Sequence, residues 1–369
     1  MREVLIVTGE TSGDLHASLF ASALRKLRPD LHLTGVGGQG MEAAGVSLFV
    51  KQDTSGVMGF VEVLRHVPRH ARILSRIKQR LDSGRVSLVV LVDYPGFNIR
   101  VAAAAAARNV PVLYYITPQV WAWGASRLPK LAQIVPRAAV IPPFEEQLLR
   151  GYGIDARFVG HPLLDRVEHL PQMRDARRQL GLDDHRPVLA VFPGSRAQEV
   201  GRHAAPFTET AQLLERRHPG LQVVVSTAQG LAQEVSQIPY RQVHGSSLAL
   251  FRAADAALCK SGTTTLEAAI AGCPLIVAYR AGTLSYMLAR RLVRIPHIAL
   301  VNVVAGREVA REFVQDAVQP GAMADALSPL LVPGQARREI MDALAEVHGR
   351  LGSPGAAARV ADMASEMAA

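Results

Sequence analysis

Short apolar runs alternate with stretches of helical periodicity along the whole chain. Apolar runs without regular polar positions are typical of parallel β-strands that helices cover on both faces. A first series of these runs ends before residue 142, and a second begins after residue 187. The runs are Val4–Thr8, Leu31–Val36, Leu88–Val92, Val112–Ile116, Ala138–Ile141, Val188–Phe192, Val223–Ser226, Ala256–Cys259 and Leu275–Ala278. The pattern predicts an α/β fold with two Rossmann-like domains that face each other across a cleft.

The join between the domains is expected near Gly160-His161-Pro162, after which a charged helical stretch begins. This gives an N-terminal domain at 1–163 and a second domain at 164–345, followed by an alanine-rich helical tail within 346–369. Open parallel sheets bind ligands beyond the carboxyl ends of their strands. The active site is therefore expected in the cleft between the domains.

The composition narrows the class of partner. The chain has 369 residues, 49% of them hydrophobic, and a formal net charge of +9, which favours an anionic partner. No RNP or KH motif supports nucleic acid, which we do not expect to bind. Cys259 and Cys273 form neither a disulfide framework nor a metal-binding pattern, which favours a reducing cytosol. No apolar run reaches the roughly 18 residues of a membrane-spanning helix, so we expect a soluble or peripheral protein.

The stretch 256–274 predicts a phosphate-binding turn. A short strand ends at Lys260, a Ser-Gly turn follows, and three threonines open a helix that ends at Gly272. Free backbone N–H groups and the helix dipole favour a phosphate here, and a carboxylate one turn into the helix can accept from a ribose diol. The candidate ligands are Ser261, Gly262, Thr263, Thr264, Thr265 and Glu267. A well-capped helix without a ligand explains the same residues equally well.

A second turn of the same kind is Phe192-Pro-Gly-Ser-Arg196, which follows the first run of the second series. An arginine at the tip of such a turn presents a fork of donors suited to bidentate phosphate recognition. Ser195 and Arg196 are therefore further candidate phosphate ligands.

Two glycine-rich loops follow strands of the first domain. The spacing of Thr8–Asp14 does not fit a dinucleotide fingerprint, and Glu10 and Asp14 would repel a diphosphate. We interpret this loop as a lining for sugar hydroxyls, although a plain turn with Asp14 as a helix cap is equally consistent. The glycines of Gly35–Gly40 allow a ligand to approach the backbone closely. The candidate cleft residues of the two loops are Ser12, Gly13, Asp14, Gly37 and Gly38.

Asp93 stands at the end of a strand, where α/β enzymes often place a catalytic base. A carboxylate that only caps its loop is the alternative. Trp121 and Trp123 follow the next strand and either contact a sugar or acyl chain or pack the loop onto the sheet. The remaining candidate cleft residues are Asn98, Gln119, Trp121, Asn302 and Glu308.

From Phe60 to Leu81, apolar residues recur at helical spacing on one face and arginines on another, and Pro68 should kink or restart the helix. A basic amphipathic helix can lie on an anionic membrane. The alternative is a surface helix whose apolar stripe packs on the protein core, and the residues alone favour this alternative.

Six motifs, in this order, resemble the lipid-A-disaccharide synthase family. They are Gly9–Asp14, Asp93–Asn98, Val120–Trp123, Phe192–Arg196, Ser261–Glu267 and Asn302–Gln315. The resemblance implies a GT-B-like fold and an inverting glycosyltransferase that needs no metal or other cofactor. It also implies transfer of 2,3-diacylglucosamine from UDP-2,3-diacylglucosamine to 2,3-diacylglucosamine 1-phosphate (lipid X), which yields UDP and a β-1,6-linked disaccharide. The tail helix would cross back onto the first domain.

The resemblance also implies roles for single residues. Arg196 and the Ser261–Thr265 turn would hold the UDP diphosphate, and Glu267 would hold the ribose. Asp93 would take the proton from the acceptor's 6-hydroxyl, with Glu10 as the competing base. Many relatives carry a second Asp where this chain has Gly96, so that group cannot take part here.

Since both implied substrates carry acyl chains, the resemblance shifts the interpretation of helix 60–81 towards an anionic membrane surface. The protein would then be cytoplasmic and peripheral on the inner membrane. The candidate membrane residues are Met58, Phe60, Val61, Leu64, Arg65, Arg69, Arg72 and Arg76. A UDP-sugar epimerase of the same fold and a non-catalytic nucleotide-binding module are the alternative functions. The oligomeric state stays open, a homodimer included.

Overall fold

The computed structural model describes residues 2–9, 11–51, 60–119, 121, 124–167, 170–228, 230–245, 247–282, 286 and 296–368. The chain forms two compact units, which we call unit 1 (Met1–Arg166 with Gly352–Ala369) and unit 2 (Val167–Leu351). The chain thus leaves unit 1 at Arg166 rather than at 163. It returns at Gly352 rather than at 346. Residue 346 lies inside Gln335–Arg350, the last helix of unit 2.

Unit 1 is built on a seven-stranded parallel sheet with the order β3-β2-β1-β4-β5-β6-β7. Its strands are β1 Glu3–Val7, β2 His32–Gly37, β3 Ser47–Lys51, β4 Val86–Val92, β5 Val112–Tyr115, β6 Arg137–Val140 and β7 Asp155–Phe158. The strand order reverses between β1 and β4, whose Val7 and Leu91 are register partners. Loops that follow two adjacent strands at such a switch point form the usual ligand site of an open α/β sheet.

Helices cover both faces of this sheet. They are α1 Thr11–Leu27, α2 Gln39–Ala43, α3 Phe60–Asp82, α4 Pro95–Ala106, α5 Leu128–Ile134, α6 Pro143–Arg150 and the C-terminal helix Ala356–Met367. Alternate residues of β1 enter different cores: Leu5 packs with α3 and α4, whereas Ile6 packs with α1 and the C-terminal helix. This explains why the four residues Val4–Val7 of the strand are all apolar.

The C-terminal helix belongs to unit 1 although it follows unit 2 in the chain. Val360 and Ala364 are buried in the same core as Phe20 of α1. The guanidinium of Arg2 donates to the backbone carbonyl of Ala368 at 3.0 Å. Unit 1 is therefore completed by both ends of the chain.

The second half of α3 packs on the core of unit 1. Ile73, Ile77 and Leu81 are buried there, and Arg80 donates to the buried carboxylate of Glu3 at 2.6 Å. The helix continues across Pro68, so of the kink or restart predicted at this residue the restart does not occur.

Unit 2 repeats the architecture with a six-stranded parallel sheet of order β10-β9-β8-β11-β12-β13. Its strands are β8 Val188–Phe192, β9 Gln222–Thr227, β10 Arg241–His244, β11 Ala256–Lys260, β12 Leu275–Tyr279 and β13 Glu312–Val314. Its helices are α7 Met173–Gln179, α8 Ala197–Arg217, α9 Ala232–Val235, α10 Ser247–Ala253, α11 Thr264–Ala271, α12 Leu300–Ala305, α13 Pro320–Leu327 and α14 Gln335–Arg350. The switch point lies between β8 and β11, where Phe192 and Cys259 are register partners.

Single 3₁₀ turns occupy Ala125–Arg127, Leu164–Arg166, Gln315–Ala317 and Ser328–Leu330. Among the described residues, no helix combines the length and the apolar character that a bilayer crossing requires.

Candidate active site

The two turns predicted to bind phosphate lie side by side in unit 2, because they follow the adjacent strands β8 and β11. Glu199, in the first turn of α8, connects them. One of its carboxylate oxygens accepts the backbone N–H of Ser195 at 3.0 Å, and the other accepts from the Lys260 ammonium at 2.8 Å. Burial alone would raise the pKa of Glu199, but the hydrogen bond and charge of Lys260, together with the Ser195 N–H and the charge of Arg196, outweigh it, so the pKa is lowered.

Arg196 is the residue that immediately precedes α8. Its guanidinium lies 3.9 Å from the Glu199 carboxylate, and 55% of its side chain is exposed. The guanidinium is therefore accessible to an anion in front of the helix. A positive charge and the amino end of a helix at one place are a favourable setting for phosphate.

The turn after β11 divides the predicted ligands into two groups. Ser261 donates its hydroxyl to the carbonyl of Ile298 at 2.8 Å, and Thr265 donates to the carbonyl of Gly262 at 2.9 Å. These two hydroxyls therefore hold the turn itself. Thr263 is exposed and Thr264 is partly exposed, so their hydroxyls are the accessible ones at the start of α11. Gly262 has a φ of 158°, a value that favours glycine.

Glu267 lies one turn into α11, at the place in the helix that the sequence predicted, and its side chain is buried. Asn302 is fully buried and uses its whole side-chain amide within the protein. Its Nδ2 donates to the carbonyl of Ala310 and to Glu312, and its Oδ1 accepts the N–H groups of Val309 and Ala310, all within 2.9 Å. The expectation that Asn302 lines the ligand site therefore gives way to a structural role.

Glu308, which was also expected to line the site, accepts the backbone N–H of Glu312 at 3.1 Å. Its contact is local and lies within the same loop. Among the described residues, no group of three His, Cys, Asp or Glu side chains is arranged to hold a metal ion.

In unit 1, Asp93 follows β4 at the switch point and is only partly buried. Asp93 and Tyr94 both have left-handed backbones, with φ of 50° and 53°. Two consecutive non-glycine residues in this region are strained, and such strain collects at functional sites. The carbonyl of Asp93 accepts from the Asn98 amide at 2.7 Å and from the Tyr114 hydroxyl at 3.0 Å. Fully buried Asn98 thus holds the turn of Asp93 rather than a ligand.

The side chain of Tyr94 packs the turn against its neighbours. Its hydroxyl makes a hydrogen bond with the Nε2 atom of His70, which lies on α3. A Cβ at Gly9 would fall 2.3 Å from the Tyr94 ring. The glycine of this loop is therefore required by packing on Tyr94.

Asp14 was expected either to line the ligand site or to cap its own helix. Instead, its buried carboxylate accepts the N–H groups of Gly38 at 2.7 Å, Gly40 at 2.8 Å and Met41 at 3.3 Å. These groups open α2, so Asp14 caps a different helix from the predicted one. Three of the roughly four acceptor sites of this carboxylate are therefore used within the protein.

The neighbouring glycines are explained in the same way. A Cβ at Gly37 would lie 2.2 Å from the sulfur of Met41, and one at Gly13 would lie 2.2 Å from Oγ1 of Thr8. Gly37 and Gly13 therefore serve internal packing, and Gly38 supplies an N–H to Asp14. Ser12 is exposed, and Glu10, the competing base, lies outside the described residues.

A buried carboxylate that the sequence analysis missed lies beyond β5 and β6. Glu145, in the first turn of α6, is 2% exposed and accepts from Trp121 Nε1 at 2.6 Å and from Thr117 Oγ1 at 2.9 Å. Burial raises the pKa of Glu145 to about 7, against the opposing effect of these two hydrogen bonds. The indole of Trp121 also meets the ring of Phe144 edge-on, with 4.9 Å between the ring centroids. Gln119 of the same loop is exposed.

The candidate membrane residues are described only in part. Arg69, Arg72 and Arg76 are exposed on α3, and Arg76 lies 5.7 Å from the centre of the Phe49 ring. Met58 lies outside the described residues, as do the side chains of Phe60, Val61, Leu64 and Arg65.

Comparison with known proteins identifies the family. A family model described as lipid-A-disaccharide synthetase matches residues 4–356. The lipid-A-disaccharide synthase of Syntrophotalea carbinolica is 38% identical over 374 residues, which cover 99% of this chain and 95% of the relative. The synthase of Anaeromyxobacter sp. strain K is 40% identical over 369 residues, which cover 98% of this chain and 96% of the relative.

Solved structures agree on the fold. The kitacinnamycin glycotransferase superposes with a TM-score of 0.65 at 17% identity, over 99% of this chain and 98% of that one. A UDP-GlcNAc 2-epimerase from Neisseria meningitidis superposes with a TM-score of 0.63 at 11% identity, over 99% and 100%. The fold alone therefore does not separate a transferase from an epimerase, but the sequence relatives do. The predicted fold class and family are confirmed: the chain belongs to the lipid-A-disaccharide synthetase family and is a glycosyltransferase with a GT-B-like fold.

Proposed function

We propose that this enzyme moves 2,3-diacylglucosamine from UDP to the 6-hydroxyl of 2,3-diacylglucosamine 1-phosphate, with inversion at the anomeric carbon. The observation that carries the proposal is the difference between the two switch points. Unit 1 presents a carboxylate on a fixed turn, whereas unit 2 presents cations and the amino ends of two helices. An inverting transfer needs one base for the acceptor and one anion site for the departing nucleotide.

Unit 2 binds the donor in this proposal. The accessible guanidinium of Arg196 and the amino end of α11, at Thr263 and Thr264, face a diphosphate and stabilise the charge that develops as UDP leaves. Ser195 lies in the same turn as Arg196, and Glu267 holds the ribose. No step in this scheme requires a metal, so EDTA should leave the rate unchanged.

Unit 1 binds and activates the acceptor. A primary sugar hydroxyl is a weak nucleophile at neutral pH, so a base has to remove its proton as it attacks. Asp93 is this base, because its turn is held in one position by Asn98 and Tyr114. Glu10 is the competing candidate.

The donor and acceptor both carry acyl chains, so the enzyme has to reach them at a lipid surface. The exposed Arg69, Arg72 and Arg76 of α3 give it a cationic face for an anionic inner membrane. Each arginine near the headgroups contributes on the order of 1 kcal/mol, and salt weakens the attraction.

The direct test is to incubate the protein with UDP-2,3-diacylglucosamine and lipid X and to determine the product mass. We expect a disaccharide 1-phosphate and one UDP for each product, with UDP released only when lipid X is present. UDP released without lipid X would favour an epimerase or hydrolase. A donor that stays intact over hours would favour a nucleotide-binding module.

The membrane proposal has a separate test. Changing Arg69, Arg72 and Arg76 together to Ser should weaken co-sedimentation with phosphatidylglycerol vesicles at low salt, while the unfolding temperature stays the same. The matched control removes three exposed arginines from unit 2 by changing Arg174, Arg178 and Arg338 to Ser. Equal losses in the two variants would show a nonspecific effect of net charge and would overturn the membrane assignment of α3.

A further inference from the structure

Glu199 and Lys260 form an ion pair in unit 2 that joins the two phosphate-binding turns. The Nζ atom of Lys260 lies 2.8 Å from one carboxylate oxygen of Glu199, and the Ser195 N–H lies 3.0 Å from the other. Both side chains are largely buried, with 18% of Lys260 and 13% of Glu199 exposed. Neither residue was among the candidate ligands predicted from the sequence.

We infer that Lys260 is a ligand of the donor diphosphate and that Glu199 competes with that diphosphate for Lys260 and for the Ser195 N–H. The inference rests on the proposed function, because it assumes that the anion bound by unit 2 is a nucleoside diphosphate. It adds Lys260 to that function as a second cation for the diphosphate, beside Arg196.

The position of Lys260 is the first argument. It is the last residue of β11, and the turn Ser261-Gly262 and the amino end of α11 follow directly. A Cβ at Gly262 would lie 3.7 Å from Nζ of Lys260, so the ammonium lies against the turn that is proposed to hold phosphate. Its Nζ also lies 5.8 Å from the centre of the Tyr279 ring, within the range of a cation–π contact.

The contacts of Glu199 are the second argument. A carboxylate and a phosphate oxygen seek the same donors, namely a backbone N–H at the start of a helix, an ammonium and a guanidinium. Glu199 meets all three, with Arg196 at the longest distance of 3.9 Å. Its two oxygens therefore mark points at which an anion is well bound.

The balance of charge is the third argument. Lys260 and Arg196 carry two positive charges against the single negative charge of Glu199. A diphosphate carries more negative charge than a carboxylate and can bridge both cations. The ammonium of Lys260 can turn its three donors towards the diphosphate, and it then gives up part of its contact with Glu199.

Gly194 explains how Glu199 comes so close to the turn. It has a φ of 138°, and a Cβ there would fall 2.5 Å from Cβ of Glu199. Only glycine lets the turn after β8 lie directly on the first turn of α8. The carboxylate of Glu199 therefore lies directly against the turn after β8.

The alternative is that the pair only fastens two loops together. The two roles differ in their effect on ligands with and without a diphosphate. If the pair only fastens the two turns, Lys260→Met and Glu199→Gln both loosen them and both weaken UDP binding. If Lys260 is a diphosphate ligand and Glu199 its competitor, the two variants change UDP affinity in opposite directions, and uridine affinity shows whether the effect is confined to the diphosphate.

The experiment measures dissociation constants for UDP by calorimetry and for uridine by ligand-observed NMR. Lys260→Met should weaken UDP binding by about 10- to 100-fold and change uridine binding by less than about twofold. Lys260→Arg should keep most of the UDP affinity. Glu199→Gln keeps the shape and an acceptor oxygen but removes the competing charge, so UDP should bind about two- to tenfold more tightly.

An unchanged ratio of UDP to uridine affinity in Lys260→Met would overturn the inference, as would weaker UDP binding by Glu199→Gln. Disaccharide formation by the wild-type protein is measured in parallel. A wild type that binds UDP but makes no disaccharide contradicts the proposed function and leaves the binding ratios valid. A wild type that makes disaccharide, with an unchanged ratio in Lys260→Met, contradicts this inference alone.

Discussion

The turns at the two switch points are held by different forces, although both follow central strands of parallel sheets. In unit 1, the turn of Asp93 and Tyr94 is fixed by neutral donors on its backbone and by two left-handed residues. In unit 2, the turn after β8 is joined to β11 by an ion pair between Glu199 and Lys260.

The difference follows from what each turn has to do. A general base acts on one hydroxyl at one distance, and neutral contacts that no ligand replaces keep such a group in place. An anion site has to offer charge and N–H donors to the ligand, so its own contacts must be ones that an anion can share. Changes in unit 1 should therefore act on turnover, and changes in unit 2 should act on UDP affinity and, where a contact strengthens as UDP leaves, on turnover as well.

The largest effect is expected at Asp93. Asp93→Asn keeps the size of the side chain and removes its basicity, so turnover should fall by about 10²- to 10⁴-fold while UDP affinity stays within about twofold. Steady-state kinetics together with calorimetry of UDP binding measure the two quantities.

Glu10→Gln is the matched variant for the competing base. If the Asn variant at position 93 retains near-normal turnover and the Gln variant at position 10 is inactive, the base is Glu10. In that case the strained turn of Asp93 only supports its loop, and the claim that this turn positions the base is wrong.

The second prediction concerns Glu145, the buried carboxylate that accepts hydrogen bonds from Thr117 and Trp121. Its folded pKa of about 7 lies above the ordinary value of 4.5. The folded state therefore keeps a proton that the unfolded state loses, and stability falls as the pH rises from about 4.5 through 7. Glu145→Gln cannot ionise and should avoid this loss, which is about 3 kcal/mol.

The measurement is urea unfolding at pH 5 and pH 8, followed by tryptophan fluorescence. The chain has two tryptophans, Trp121 and Trp123, which both belong to the sequence of unit 1, so the signal reports on that unit. The difference in free energy of unfolding between variant and wild type should move in favour of the variant at pH 8. An unchanged difference would show that Glu145 ionises at its ordinary pKa.

The third prediction tests unit 2. Arg196→Ala removes a charge-assisted contact of roughly 1.5–3 kcal/mol, so UDP affinity should fall by about 10- to 100-fold. Arg216→Ala is the control, because it removes an exposed arginine from the last turn of the same helix. If Arg196→Ala lowers turnover with unchanged UDP affinity, the guanidinium contacts the diphosphate only as it departs. The affinity of unit 2 for UDP would then come from groups other than Arg196.

The sequence predicted the centre of each sheet and missed its edges. All nine predicted strands are present, and the four that it did not predict are β3, β7, β10 and β13, which are the edge strands. A central strand is buried on both faces and is mostly apolar, whereas an edge strand such as Arg241–His244 carries polar residues that resemble a loop.

The sequence predicted which turns follow the central strands, but not which hydrogen bonds the side chains in those turns make. The positions of Asp93 and Arg196 after strands were clear from the sequence. Asp14, Asn98 and Asn302 looked like ligands, because a polar residue in a motif gives no sign of the backbone groups that occupy it. Glu145 carried no signal, since its partners are 24 and 28 residues away in the chain.

Gly96 offers the smallest expected effect and the finest test of the unit 1 turn. It lies exposed in the first turn of α4, and a Cβ at this position would meet no heavy atom within 4 Å. Gly96→Asp places a negative charge at the amino end of a helix and reduces the freedom of the unfolded chain. Stability should therefore rise by about 0.5–1 kcal/mol, and Gly96→Ala separates the backbone part from the charge. An exposed carboxylate is screened by solvent, so turnover should change by less than about threefold. A tenfold or larger gain in turnover with Gly96→Asp but not with Gly96→Ala would show that the Asp93 turn is incomplete without a second carboxylate, and that its fixed geometry alone does not make the base.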